Sequence, residues 1–123
     1  MVRFLSPEWI EALDSAAREA VVPAGVQLTI QQIVTDGDEV RYHLVLNDGR
    51  LRVHPGEAAN ADVTLVQTRD VAVALSRGEI NAQQALEAGR LKLRGDIGHL
   101  ARQGKALTAM EDAFAAVRAA TTY

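Results

Sequence analysis

Two Asp-Gly turns divide the stretch from Val26 to Val53 into three runs in which apolar residues recur at every second position. Val26, Leu28 and Ile30 share one parity, as do Val40, Tyr42, Leu44 and Leu46, and then Leu51 and Val53. A period of two marks strands with one buried face, because successive side chains point to opposite sides of a sheet. Asp36-Gly37-Asp38 and Asn47-Asp48-Gly49 between these runs are hairpin signals. The region is therefore expected to form an antiparallel meander, closed by Pro55-Gly56. The first strand changes phase after Gln31-Gln32, where Ile33 falls on the polar parity, and a β-bulge is expected there.

Helices and two further strands surround the meander. Ser6-Pro7 opens a helix, with Ser6 as N-cap and Pro7 at the first helical position, where its missing N–H costs nothing. Trp9, Ile10, Leu13, Ala16, Ala17 and Ala20 follow at helical spacing, and Pro23 with Gly25 ends the element. Asp62 to Gln67 reads as a fourth strand with Val63 and Leu65 inward, and Thr68 caps a short helix from Arg69 to Arg77. Asn81 caps another, with Gln84 in the capping-box position and Gly89 as its stop. Arg90 to Arg94 is a fifth strand with Leu91 and Leu93 inward, and Asp96 caps a long amphipathic stretch to about Val117. Gly104 weakens helix by about 1 kcal/mol relative to Ala, so a hinge or break is expected within that stretch. This order gives an α+β fold, a five-stranded, mainly antiparallel sheet with helices covering one face. A chain of 123 residues fits one domain, spanning 1–123.

Composition removes several functions. The absence of Cys excludes a disulfide framework, a thiolate zinc site and a cysteine nucleophile. Aromatic residues make up only 4% of the chain, so the interior is aliphatic and base-stacking platforms are not expected. A net charge of −3 argues against nucleic acid as a partner. No apolar run reaches the ~20 residues of a membrane span, and the N-terminal residues lack a signal-peptide core. A cytoplasmic location is expected, and the Arg:Lys ratio of 11:2 suggests a GC-rich bacterial genome.

No catalytic or metal constellation stands out. His43, His54 and His99 lie on separate elements without paired ligand spacing, and no phosphate-binding glycine loop or nucleophile elbow is present. Asp96 with His99, or Tyr42 with His43, are the acid–base pairs to weigh; a local cap contact is the preferred reading of the first. Arg41, His43, Arg52, His54, Arg90, Lys92 and Arg94 fall on the outward parity, and a solvated face is preferred over an anion-binding patch. No metal, cofactor or catalytic residue is expected.

The C-terminal stretch carries an apolar stripe of Ile97, Leu100, Leu107, Met110, Phe114 and Val117, widened by alanines. It fits either a helix that covers the sheet or a lid over an apolar cavity. Asp62-Val63-Thr64-Leu65, followed by Gly78-Glu79-Ile80-Asn81-Ala82-Gln83-Gln84-Ala85-Leu86-Glu87-Ala88-Gly89-Arg90-Leu91-Lys92-Leu93-Arg94-Gly95-Asp96, resembles the signature of the sterol carrier protein type 2 (SCP-2) family. The meander with its closing Pro-Gly also looks like that of bacterial members, and the likeness spans about residues 25–110. Read physically, Gly89 and Gly95 permit turns, Asn81 and Asp96 cap helices, and Leu91 and Leu93 face the core.

The resemblance implies an apolar tunnel between sheet and helices that accepts fatty acids, acyl-CoA thioesters or sterols. Carried onto this chain, the implied lining is Leu28, Tyr42, Leu44, Leu65, Leu100, Leu107, Met110 and Phe114. The expected function is a non-catalytic lipid carrier with a lipid or acyl ligand as partner, in contact with membranes only transiently, as a monomer or weak homodimer. Aliphatic walls suit an acyl chain better than a flat heterocycle. The alternative is a non-catalytic accessory or dimerisation module beside an enzyme, its apolar stripe serving as the interface.

Overall fold

The computed structural model describes residues 2–123, the side chains of Ala82 and Gln83 excepted. The chain runs β1 (Val2–Arg3), α1 (Pro7–Arg18), β2 (Leu28–Thr35), β3 (Val40–Asn47), β4 (Arg50–Pro55) and β5 (Val63–Thr68). It continues through α2 (Arg69–Ser76), α3 (Ala82–Glu87), β6 (Leu91–Gly95), α4 (Ile97–Ala101), α5 (Gly104–Ala119) and β7 (Thr121–Thr122). Five strands form one sheet in the order β4-β3-β2-β5-β6, with every pair antiparallel except the central β2–β5. The expected α+β architecture is present.

Local chemistry accounts for the element boundaries. Ser6 Oγ accepts the Trp9 N–H at 3.2 Å and opens α1, while Asn81 and Gln84 close a reciprocal capping box at α3. Asp48 and Gly49 take positive φ of 53° and 73°, the geometry of a tight two-residue hairpin between β3 and β4. The amphipathic stretch breaks before Gly104 into α4 and α5, as the glycine suggested.

The bulge expected at Gln31-Gln32 does not form. β2 pairs with β3 without interruption from Leu28↔Leu46 through Gln32↔Tyr42 to Val34↔Val40. The strand keeps its phase, with Gln32 taking the inward position between Ile30 and Val34, and Ile33 on the opposite face. A polar residue in the inward phase, not an inserted one, produces the irregularity.

The register aligns the inward side chains in rows across the strands. One row is Val53–Leu44–Ile30–Val63, wholly aliphatic. The next is Tyr42–Gln32–Leu65–Leu93, and beyond it Val40–Val34–Gln67–Leu91. Two clusters are buried on this face. The larger joins Phe4, Trp9, Ile10 and Leu13 to Leu28, Ile30, Leu44, Leu46, Leu51, Val53 and Val63, and to Ala106, Met110 and Val117 of α5. The smaller joins Val71, Ala85 and Leu91, with Leu65, Leu75 and Ile80 against it.

The outward face is partly roofed by the β4–β5 crossover. Gln31, 3% exposed, accepts the Ala58 N–H at 2.7 Å and donates to the carbonyls of Gln32, Tyr42 and Gly56. Of the outward basic residues, Arg41 pairs with Glu39 and Glu57, and Arg52 with Asp14. The rings of His43 and His54 face each other across the strands at 5.4 Å. Arg90, Lys92 and Arg94 are exposed and make no ion pair among the described residues. A parallel pairing of β1 with β7, which the alternation pattern did not suggest, ties the two ends of the chain together.

Candidate cavity between the sheet and helices

A cavity of about 650 Å³ lies between the inward face of β2, β5 and β6, the segment from α2 into α3, and α5. The strands contribute Gln32, Leu65, Gln67 and Leu91; the helical segment contributes Leu75, Ser76, Arg77, Gly78, Ile80, Asn81 and Gln84; α5 contributes Glu111 and Arg118. Its apolar wall is Leu91 of the smaller buried cluster with Leu65, Leu75 and Ile80, which pack half-buried against that cluster. The polar lining separates into two kinds. Gln32 and Gln67 stand on the sheet, whereas Arg77 and Glu111 are exposed and Arg118 is half-buried.

The amides on the sheet are bonded to each other. Gln67 Nε2 donates to Gln32 Oε1 at 2.8 Å, and Gln67 is only 7% exposed. The pairing follows from the register, since Gln32 is aligned with Leu65 on the parallel neighbour and Gln67 is two residues on, inward again. At the rim, Arg77 pairs with Glu79 at 3.2 Å and lies over the Tyr123 ring at 5.7 Å. Ser76 Oγ and the Tyr123 hydroxyl share a hydrogen bond of 2.5 Å, which docks the chain end beside the cavity. Arg118 Nη2 donates to the Glu111 backbone carbonyl and has no carboxylate partner among the described residues.

Of the eight lining residues named from the sequence, Leu65 borders this cavity. Leu28, Leu44 and Met110 are buried in the larger cluster, and Tyr42, Leu100, Leu107 and Phe114 are half-buried against it. Tyr42 stands edge-on to Trp9 at 5.4 Å, and burial raises its phenol well above the usual value. Sequence reasoning missed Gln32, Gln67, Leu75, Ile80 and Arg118. The available signal was the two glutamines in the inward phase of otherwise aliphatic strands.

A second hollow of about 710 Å³ is bordered by Gln27, Leu28, Thr29, Asn47, Asp62, Asp96 and His99 among others. Its carboxylates serve the backbone. Asp62 accepts the Thr29 N–H at 2.8 Å, and Asp96 accepts the His99 N–H at 3.0 Å. The His99 ring turns elsewhere, with Nε2 2.6 Å from the Gln27 carbonyl oxygen, so Asp96 and His99 form a cap and not an acid–base dyad. Tyr42 and His43 point to opposite faces of β3 and form no dyad either. Among the described residues no cluster of three or more His, Asp or Glu is arranged to hold a metal ion. No described helix is long and apolar enough to cross a membrane.

Comparison with known proteins agrees with this architecture. A crystal structure of sterol carrier protein 2 superposes with a TM-score of 0.70 at 19% identity, covering 94% of this chain and 98% of the other. A conserved hypothetical protein from Thermus thermophilus gives 0.71 at 18% identity, covering 100% and 93%. The palmitated sterol carrier protein 2-like 2 from Aedes aegypti gives 0.66 at 22% identity, covering 85% and 94%. No curated protein matches the sequence. A sequence model described as the SCP-2 sterol transfer family matches residues 9–108, from the first turn of α1 into α5. On that match, and on a fold shared with the superposed sterol carrier structures, the chain belongs to the SCP-2 sterol transfer family.

Proposed function

We propose that this protein is a non-catalytic lipid carrier that holds one acyl lipid in the cavity between β2, β5, β6 and α5. The observation that carries the reading is the cavity itself, an apolar wall of Leu65, Leu75, Ile80 and Leu91 beside a rim that includes Arg118. Its volume of about 650 Å³ lies within the range of roughly 300–1,000 Å³ typical of small-molecule sites. Burial of an acyl chain yields about 0.8 kcal/mol per methylene, so a long chain binds without specific polar contacts. Arg118, lacking a carboxylate partner among the described residues, is placed to attract an acidic head group. The palmitated relative from Aedes aegypti is consistent with a fatty acid as the class of cargo.

The accessory-module reading rested on an exposed apolar stripe. Met110 and Val117 are buried and Leu100, Leu107 and Phe114 half-buried, leaving Ile97, 50% exposed, as its open member. The geometry therefore favours the carrier. Native mass spectrometry of the freshly purified chain is expected to show a lipid adduct. A fluorescent long-chain acid is expected to bind and to be displaced by palmitate. Absence of binding across fatty acids, acyl-CoA thioesters and sterols would overturn the proposal.

A further inference from the structure

The two glutamines at the base of the cavity are poorly explained as parts of a core. They stand in the inward phase of β2 and β5, where the other inward residues are aliphatic, and their unpaired amide atoms open onto the cavity instead of being sealed in the core. Their mutual hydrogen bond uses one donor and one acceptor and leaves the rest of both amides without a protein partner among the described residues. In the observed orientation these are the Gln32 amino group, the Gln67 carbonyl oxygen and the second N–H of Gln67. Exchanging oxygen and nitrogen on both side chains gives the same set, one whole amino group, one carbonyl and one further N–H. Gln31, the neighbour on the opposite face, provides the contrast. Its carbonyl accepts one N–H and its amino group reaches three carbonyls, so it is wholly committed to holding the crossover.

We propose that the Gln32–Gln67 pair recognises a neutral oxygen function carried along the lipid, so that the preferred cargo is a hydroxylated or keto acyl chain. The inference rests on the carrier reading and specifies its ligand class. A hydroxyl matches the pair best, since it donates to the free carbonyl and accepts from the free amino group. A keto oxygen uses the amino group alone. A carboxylate is the poorer occupant, because the free carbonyl is an acceptor and would face the anion beside the apolar wall of Leu65, Leu75, Ile80 and Leu91. The acidic head belongs instead at the rim, near Arg118, with the oxygenated carbon deeper against the sheet. An unsubstituted chain would cover both amides and leave their free groups unbonded.

The test is displacement of a fluorescent long-chain acid from the full chain by palmitic acid and by a series of hydroxypalmitic acids differing in hydroxyl position. At least one isomer is expected to displace the probe at about one-tenth of the palmitate concentration, one to two hydrogen bonds' worth of preference. In the double variant Gln32→Leu, Gln67→Leu that preference is expected to vanish or reverse while palmitate binds at least as tightly. The single variant Gln67→Met, checked for folding by its thermal transition, repeats the comparison with less change in shape. Equal displacement by palmitate and every isomer in the unmodified protein overturns this proposal and leaves the carrier reading standing. The same holds if folded variants retain the preference. Failure of every lipid to bind overturns both.

Discussion

Asp14 of α1 grips Arg52 of β4 in a two-pronged ion pair, Oδ1 lying 2.9 Å from Nε and Oδ2 3.1 Å from Nη2. The same Oδ1 accepts the Val53 backbone N–H at 2.9 Å. β4 is an edge strand, so one carboxylate both anchors the first helix and occupies a donor that another chain could pair with.

This contact makes stability sensitive to acid. The Arg52 guanidinium, with the Val53 N–H and Arg18 adding to it against the opposing effect of burial, holds the Asp14 carboxyl well below the usual carboxylate range. A depressed folded value means that the unfolded chain takes up the proton first as pH falls. The contribution is therefore complete above about pH 5, where the unfolded carboxyl is ionised, and is lost progressively below it. Denaturant unfolding at pH 7 and pH 3 is expected to show a smaller acid loss in Asp14→Asn than in the parent. Asp14→Ala, which also strips Val53 of its acceptor, is expected to cost about 1–2 kcal/mol at pH 7. An identical acid loss in parent and Asp14→Asn would show that the pair is solvated and contributes nothing.

Gln31 makes a second, separable prediction. Gln31→Ala removes the acceptor of the Ala58 N–H and the donor to the Gly56 carbonyl, so it is expected to lower stability by about 2–3 kcal/mol. The loss begins locally. Amide exchange in residues 56–62 is expected to accelerate before that of β2 and β5. Since Gln31 faces away from the cavity, lipid preference in the folded fraction is expected to be unchanged. A shift in preference would mean that the crossover communicates with the site.

Gln32 and Gln67 show where sequence reasoning stopped. Alternation identified inward aliphatic residues in all five sheet strands, though the bulge expected at Gln31-Gln32 hid Val34, and Ser6, Thr68, Asn81 and Asp96 each cap a helix at the position assigned to them. Such signals are local, set by the residues within a turn or two. The adjacency of β2 and β5 is not local, and nothing in the period of either strand announces a neighbour more than 30 residues away. Gln32 was visible only as an irregular phase, and Gln67 as the end of a strand. Their meeting required the parallel register. The same limit explains why Leu28, Leu44 and Met110 are packed in the larger cluster while Leu75 and Ile80 border the cavity. Parity says that a side chain points inward, and not whether the space it meets is filled.

Gly95 is expected to tolerate no side chain. Its φ of +103° lies where L residues are strained, and it is aligned with Val63 at the end of the β5–β6 ladder. A Cβ there would run into the carbonyl oxygen of Asp62, the acceptor of the Asp96 N–H at 2.8 Å. Backbone oxygen cannot swing aside as a side chain can. Gly95→Ala is expected to lose at least about 2 kcal/mol, from the left-handed backbone penalty plus the displaced strand end. Retention of the parental thermal midpoint would show that the strand end shifts freely.

Gly104 gives the opposite expectation from the same substitution. It is the first residue of α5, its φ lies outside the left-handed region, and a Cβ would meet no heavy atom within 4 Å. Alanine there adds no clash and reduces the freedom of the unfolded chain, which is worth about 0.4–1 kcal/mol. Gly104→Ala is expected to raise the thermal midpoint by about 2–5 °C in a chain of this size. Because α4 ends at Ala101 and Gln103 supplies no side-chain cap to α5, the break does not rest on glycine alone and is expected to persist. A fall in the midpoint would show that the junction needs a conformation open only to glycine.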